Sequence, residues 1–181
     1  RIFNLLDIKK SNIELNKNDR NLSVDSGEIK IENISFSYPN QKKLFENFSL
    51  TIPSGKKVAI VGPSGSGKST LINLILRFFD PQEGKIFIDG QDIKNQNIDS
   101  LRNNISLVSQ DTNLFNDSIK NNIQFGNLSS NFDEIKKATI NAGADNFIQN
   151  LDNKYETIVG ENGIKLSGGQ RQRIAIARAL I

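Results

Sequence analysis

Apolar positions follow two rhythms along the 181 residues. From Glu28 the period is two: Ile29 and Ile31 alternate with polar neighbours, and Ile34, Phe36 and Tyr38 continue on a shifted phase. The shift predicts a strand with a slip or bulge near Asn33. Phe48, Leu50 and Ile52 predict a second strand, closed by Pro53-Ser54-Gly55. Val58 to Val61 is a short unbroken apolar run, the pattern of a strand buried on both faces of a parallel sheet. A helix is expected next, from about Gly67 to Phe79, stopped by Asp80-Pro81. Ile86 and Ile88 mark a short strand that turns at Asp89-Gly90, and Ile105 to Val108 reads as one more apolar strand. Residues 113–150 look mainly helical. There Ser130 or Asn131 can cap a helix carrying Ile135, Ala138, Thr139 and Ala142, with Gly143 as its stop. A last helix is expected from Ser167 onward. Arg1 to about Ser26 reads as a helix end followed by a solvated linker rich in Asn, Lys and Asp.

Composition narrows the chemistry mainly through absences. Apolar residues at 36%, charged residues at 24% and a mean hydropathy of −0.40 describe a soluble, globular surface. Lys and Arg number 23 against 20 Asp and Glu, a net charge of +3 that is too small to indicate a nucleic-acid partner. With no Cys and no His, thiol and imidazole catalysis and the metal sites built on them are excluded. Whatever chemistry occurs must use backbone amides, Lys, Arg, carboxylates and side-chain amides. Met is absent too, Arg1-Ile2-Phe3-Asn4-Leu5-Leu6 is already helix-like, and Ile181 falls inside an apolar helical pattern. The chain is therefore expected to be a fragment of a longer polypeptide. No apolar run approaches the roughly 18–20 residues that span a bilayer, so any membrane segment is expected elsewhere.

Two motifs carry chemistry. Gly62-Pro63-Ser64-Gly65-Ser66-Gly67-Lys68-Ser69 fits the phosphate-loop pattern G-x-x-x-x-G-K-[ST]. Its glycines permit backbone angles closed to other residues, so successive N–H groups can turn toward phosphate oxygens. The helix that follows adds unpaired amides and the positive end of its dipole. Lys68 supplies a mobile charge for the outer phosphates, Ser69 a hydroxyl for Mg²⁺, and Thr70 one more hydroxyl donor. The second motif is Leu166-Ser167-Gly168-Gly169-Gln170, followed by Arg171-Gln172-Arg173. Ser-x-x-Gln is a capping box, yet a cap does not require glycine at both inner positions, where each costs roughly 1 kcal/mol of helix propensity. By itself the motif is equally a helix cap or an anion-binding helix start, with Arg171 and Arg173 raising the local potential.

Together the two motifs resemble the nucleotide-binding domain of an ATP-binding cassette (ABC) transporter over nearly the whole chain. The resemblance implies an α/β fold: a P-loop NTPase core, an antiparallel β subdomain, and a helical subdomain carrying the signature motif. Ile34-Ser35-Phe36-Ser37-Tyr38-Pro39 resembles the segment whose aromatic stacks on adenine, which implies that role for Tyr38. Val108-Ser109-Gln110-Asp111 resembles the glutamine loop, so Gln110 is expected at Mg²⁺ and the attacking water. Thr157 to Gly163 resembles an exporter element that faces the coupling helices of a membrane domain, and Arg1 to Asp7 resembles the exporter junction. Residues 1–26 are thus expected to connect an upstream transmembrane domain to a nucleotide-binding domain over 27–181. The family's Walker B strand, catalytic Glu, D-loop and switch His would lie beyond Ile181. The core is expected to be incomplete at its C-terminal part, and the isolated fragment poorly stable and almost inactive.

The resemblance further implies an exporter ATPase at the cytoplasmic face of the cell membrane, using ATP and Mg²⁺. Two such domains would pair head to tail, as a homodimer or heterodimer. Each ATP would sit between one phosphate loop and Ser167, Gly168, Gly169 and Gln170 of the opposite chain. The alternatives are a cassette that binds ATP without turnover, and a soluble member of the superfamily of the translation-factor type.

Overall fold

The computed structural model describes residues 20–181. The expected junction at Arg1 to Asp7, and the linker as far as Asp19, lie outside the described residues. Four strands form an antiparallel sheet in the order β2-β1-β3-β4, with β1 at Ile29–Phe36, β2 at Phe45–Ile52, β3 at Glu83–Ile88 and β4 at Gln91–Asp92. Alternation in β1 explains its central place: Ile31, Ile34 and Phe36 are buried, and β2 and β3 pair on either side. The slip expected near Asn33 is present. Its φ is 48°, and the pairing with β2 shifts register between Ile31 and Ile34. Helix α1 spans Lys68–Ile75, and α2 spans Ile98–Asn103 behind an Asn97 cap. Leu71, Leu74 and Ile75 of α1 and Leu101 of α2 close the core over the sheet.

The chain divides into two compact units, one ending at Ile105 and the other running from Ser106 to Ile181. The second is helical: α3 at Ile119–Gln124, α4 at Phe132–Asn141, α5 at Asp145–Gln149 and α6 at Gly168–Leu180. Of the two candidate caps for α4, Asn131 holds the place. It forms a reciprocal capping box with Glu134. Gly143, at φ 64°, ends the helix, with the Ala144 N–H reaching the Thr139 carbonyl. Ile119, Ile123, Ile135, Ile148 and Ile174 are fully buried in this unit's core. A buried polar knot in this unit joins Tyr155, whose hydroxyl donates to Asp145 at 2.7 Å and lies 2.6 Å from the Thr139 hydroxyl. Burial foremost, with the Asp145 carboxylate adding to it, pushes the Tyr155 phenol up to about 12.

Four expectations need correction. Val58 to Val61 is not a strand: Val58 is 46% exposed and Val61 88%. Ile105 to Val108 is likewise irregular, with Leu107 half exposed. A buried parallel strand forms only when neighbours take up its N–H and C=O groups, and no described strand pairs with either run. Helix α1 stops at Ile75 rather than near Phe79. The Phe78 N–H bonds the Asn73 carbonyl and the Arg77 N–H the Leu74 carbonyl, a Schellman ending with Arg77 at φ 53°.

The described end of the linker is not solvated throughout, which is the fourth correction. Leu22 is buried at 5% exposure, and its N–H donates to the Ser100 hydroxyl. Further along, Asp89 of the β3–β4 turn accepts from the backbone N–H groups of Asp25, Ser26, Gly27 and Glu28 at 2.8–3.0 Å. The Ser26 hydroxyl adds a fifth bond at 2.6 Å. These donors, the Ser26 hydroxyl first, hold the Asp89 carboxyl well below the usual carboxylate range. Among the described residues no helix is long and apolar enough to cross a membrane.

Candidate nucleotide-binding site

The phosphate loop keeps the geometry its glycines allow, although the strand expected in front of it is absent. Gly65 and Gly67 have φ of 81° and 91°, and the Ser66 N–H closes a turn on the Pro63 carbonyl. Gly67 stands at the start of α1 with no side-chain cap, so the first-turn amides of that helix are not taken up by a capping side chain. The tightness is steric as well as torsional. A Cβ on Gly67 would come within 2.8 Å of Phe45 Cζ, and one on Gly62 within 2.8 Å of the Ser66 hydroxyl oxygen.

Lys68 folds back over its own loop. Its ammonium donates to the carbonyls of Gly62 at 2.9 Å and Pro63 at 2.7 Å, with the Ser66 hydroxyl at 3.5 Å. These are neutral acceptors in an exposed loop, so an anion would compete well for the charge. Ser64, Gly65, Ser66 and Ser69 are exposed, whereas Thr70 is 7% exposed and its hydroxyl lies 3.1 Å from that of Tyr38. The fold thereby brings Tyr38, placed in this site by resemblance alone, to the helix of the phosphate loop. Ser69 is left as the open hydroxyl of that first turn. Among the described residues no group of three or more His, Cys, Asp or Glu gathers to hold a metal.

In the helical unit, Gln110 sits in an exposed irregular segment beside Ser109, whose hydroxyl donates to the Asp111 carbonyl. Ser167 caps α6: its hydroxyl accepts from the Gln170 N–H at 3.3 Å, and the Gln170 side chain accepts from the Ser167 N–H at 2.9 Å. The capping box is real, and it does not account for the glycines. A Cβ on Gly168 or Gly169 would meet nothing nearer than 3.8 Å, and neither residue has a positive φ. Packing within this unit therefore does not require glycine at either position. Arg171 is turned back to the Leu166 carbonyl at 2.7 Å, and Arg173 lies over the Phe147 ring.

Sequence reasoning missed Arg77, Phe79 and Gln82. Arg77 is wholly buried, bonding Asp80 and the carbonyls of Ile93 and Gln96. Phe79 packs on Tyr38, and the Gln82 amide pairs with both backbone groups of Ser37. The only available signal was an arginine interrupting the apolar run Leu71 to Phe79.

An antiparallel β layer, an uncapped helix entered through left-handed glycines, and a lysine folded over that entry define a P-loop nucleotide-binding module. The ABC transporter family model matches residues 45–181, and the chain belongs to that family. It is 50% identical over its full length to the ATP-dependent lipid A-core flippase of Desulfotalea psychrophila, covering 31% of that protein. It is 43% identical over 98% of its length to the mitochondrial iron-sulfur clusters transporter ATM1 of Chaetomium globosum, covering 30% of it. A solved bacterial Atm1-family ABC exporter with ATP bound superposes with a TM-score of 0.88 at 41% identity. That match covers 99% of this chain and 31% of the exporter. The chain thus spans about a third of the length of these relatives.

Proposed function

We propose that this chain is the ATP-binding and ATP-hydrolysing module of a membrane exporter, working at the cytoplasmic face of the membrane as one of a head-to-tail pair. The observation that carries the reading is the uncapped start of α1, entered through Gly65 and Gly67 in left-handed geometry, with the Lys68 ammonium resting on neutral carbonyls. Polyphosphate takes over that ammonium and the loop amides, while the Tyr38 ring receives the base. Ser69 and Gln110 would hold Mg²⁺, which would supply positive charge to the outer phosphates. Ser167, Gly168, Gly169 and Gln170 complete the site of the opposite module. The support for that last assignment is the pair of glycines that packing within their own unit does not require. A γ-phosphate gripped by both modules holds the pair closed, and its loss on hydrolysis removes the differential stabilisation, so the pair reopens.

Mixed dimers of the full-length protein test this arrangement. Lys68→Ala in one chain and Ser167→Arg in the other place both lesions in one composite site and leave the second intact. That dimer should retain turnover, whereas either mutant homodimer should retain none. Equal loss in all three contradicts pairing across the dimer. ATP binding without turnover in the unmutated protein identifies the catalytically degenerate cassette instead.

A further inference from the structure

Tyr38 lies beyond the end of β1, in a turn closed by the Gln41 N–H on the Tyr38 carbonyl, so the sheet ladder does not fix its ring. Three other contacts do. Phe36 meets the Tyr38 ring at 5.1 Å between centroids and 82°, and Phe79 meets it at 5.2 Å and 88°. The Thr70 hydroxyl holds the phenol end at 3.1 Å. Both phenyl rings stand nearly perpendicular to the Tyr38 ring, a favoured aromatic geometry, so neither is stacked parallel on it.

The segment from Phe79 to Gln82 is tied to the strand end by backbone as well as rings. The Gln82 side chain accepts from the Ser37 N–H and donates to the Ser37 carbonyl, and its own N–H reaches the Ser35 carbonyl. What aims this segment is the left-handed ending of α1. Arg77 has φ 53°, a costly angle for a residue with a Cβ, and its buried guanidinium bonds the Ile93 and Gln96 carbonyls and Asp80. Phe79 itself stays 37% exposed, so core formation alone is a weak reason for a phenyl ring there.

We propose that Phe79 is a positioning residue for the nucleotide base, its ring set perpendicular to that of Tyr38 and holding Tyr38 in the orientation that stacks a purine. The proposal rests on the reading of Tyr38 as the base platform. Its consequence is selective: loosening Phe79 weakens ligands that carry a base and leaves base-free polyphosphate binding at Gly62 to Ser69 untouched.

The test measures KM and kcat for ATP in the full-length protein, together with competitive inhibition by inorganic tripolyphosphate. Phe79→Leu should raise the KM for ATP about three- to tenfold, the range for one aromatic pair. The kcat and the tripolyphosphate inhibition constant should not change, and Phe79→Tyr should restore the KM. Equal weakening of ATP and tripolyphosphate, or an unchanged KM for ATP, overturns the proposal. Tyr38→Ala separates the two layers. If it leaves the KM for ATP unchanged, the base-platform reading itself falls. If it raises the KM while Phe79→Leu does not, only the role of Phe79 falls.

Discussion

Replacing Gly67 by alanine sets two separable penalties against the phosphate loop. The first is torsional: φ is 91°, and a left-handed angle costs an L-residue about 1–2 kcal/mol. The second is overlap. The new Cβ would lie 2.8 Å from Phe45 Cζ, 3.1 Å from Phe45 Cε1 and 3.3 Å from Leu44 Cδ2. Phe45 is 9% exposed and packs on Phe48 at 5.2 Å between centroids, so it has little room to yield. Overpacking of this kind costs about 1–3 kcal/mol. Together about 2–5 kcal/mol opposes the binding-competent loop, which lowers ATP affinity by about 30-fold to several thousandfold. Gly65→Ala provides the internal control, because φ is 81° there and a Cβ meets nothing within 4 Å. Only the torsional part remains, about 5- to 30-fold in affinity. Equilibrium titration of the full-length protein with a fluorescent ATP analogue measures both. Gly67→Ala should also lose less affinity in a Phe45→Leu background, where the overlapping ring atoms are gone. A Gly67→Ala no weaker than Gly65→Ala, or a loss indifferent to Phe45→Leu, refutes the steric account.

Asp89 gives a pH prediction whose sign is fixed by its lowered carboxyl. The clasp on residues 25–28 is at full strength above the unfolded carboxylate value of about 3.9 and is lost as pH falls through the lower folded value. Asp89→Asn should therefore flatten the acid limb of thermal stability, and an unchanged limb would show that the five donors at this turn contribute nothing. At the second motif, Gly169→Ala should stabilise α6 by up to about 1 kcal/mol while reducing ATP turnover of the pair. Calorimetry and steady-state hydrolysis on one preparation check the two halves, and a variant that is both more stable and fully active removes the argument for an outside group at α6.

The features legible in the sequence are those whose bonds close within a few residues. A cap at Ser130 or Asn131, Gly143 after α4, the Asp89-Gly90 turn, the slip at Asn33 and the left-handed glycines of the phosphate loop all belong to this class, although only the structure chose Asn131 and paired it with Glu134. Each is settled by a side chain or a φ angle acting on its own neighbourhood, so the local pattern was sufficient. Val58 to Val61 shows where that reasoning fails. Its apolar run is strand-like, but a parallel strand exists only through ladder partners contributed from far along the chain, and no described segment supplies them. Leu22 in the core, Arg77 bonded to Ile93 and Gln96, and Phe79 against Tyr38 likewise join residues widely separated in sequence. The left-handed entry to the helix start at Lys68 could be read from spacing because a single loop generates it. The orientation of the ring beside it was decided by tertiary structure, because three separate segments must converge before any of them can hold it.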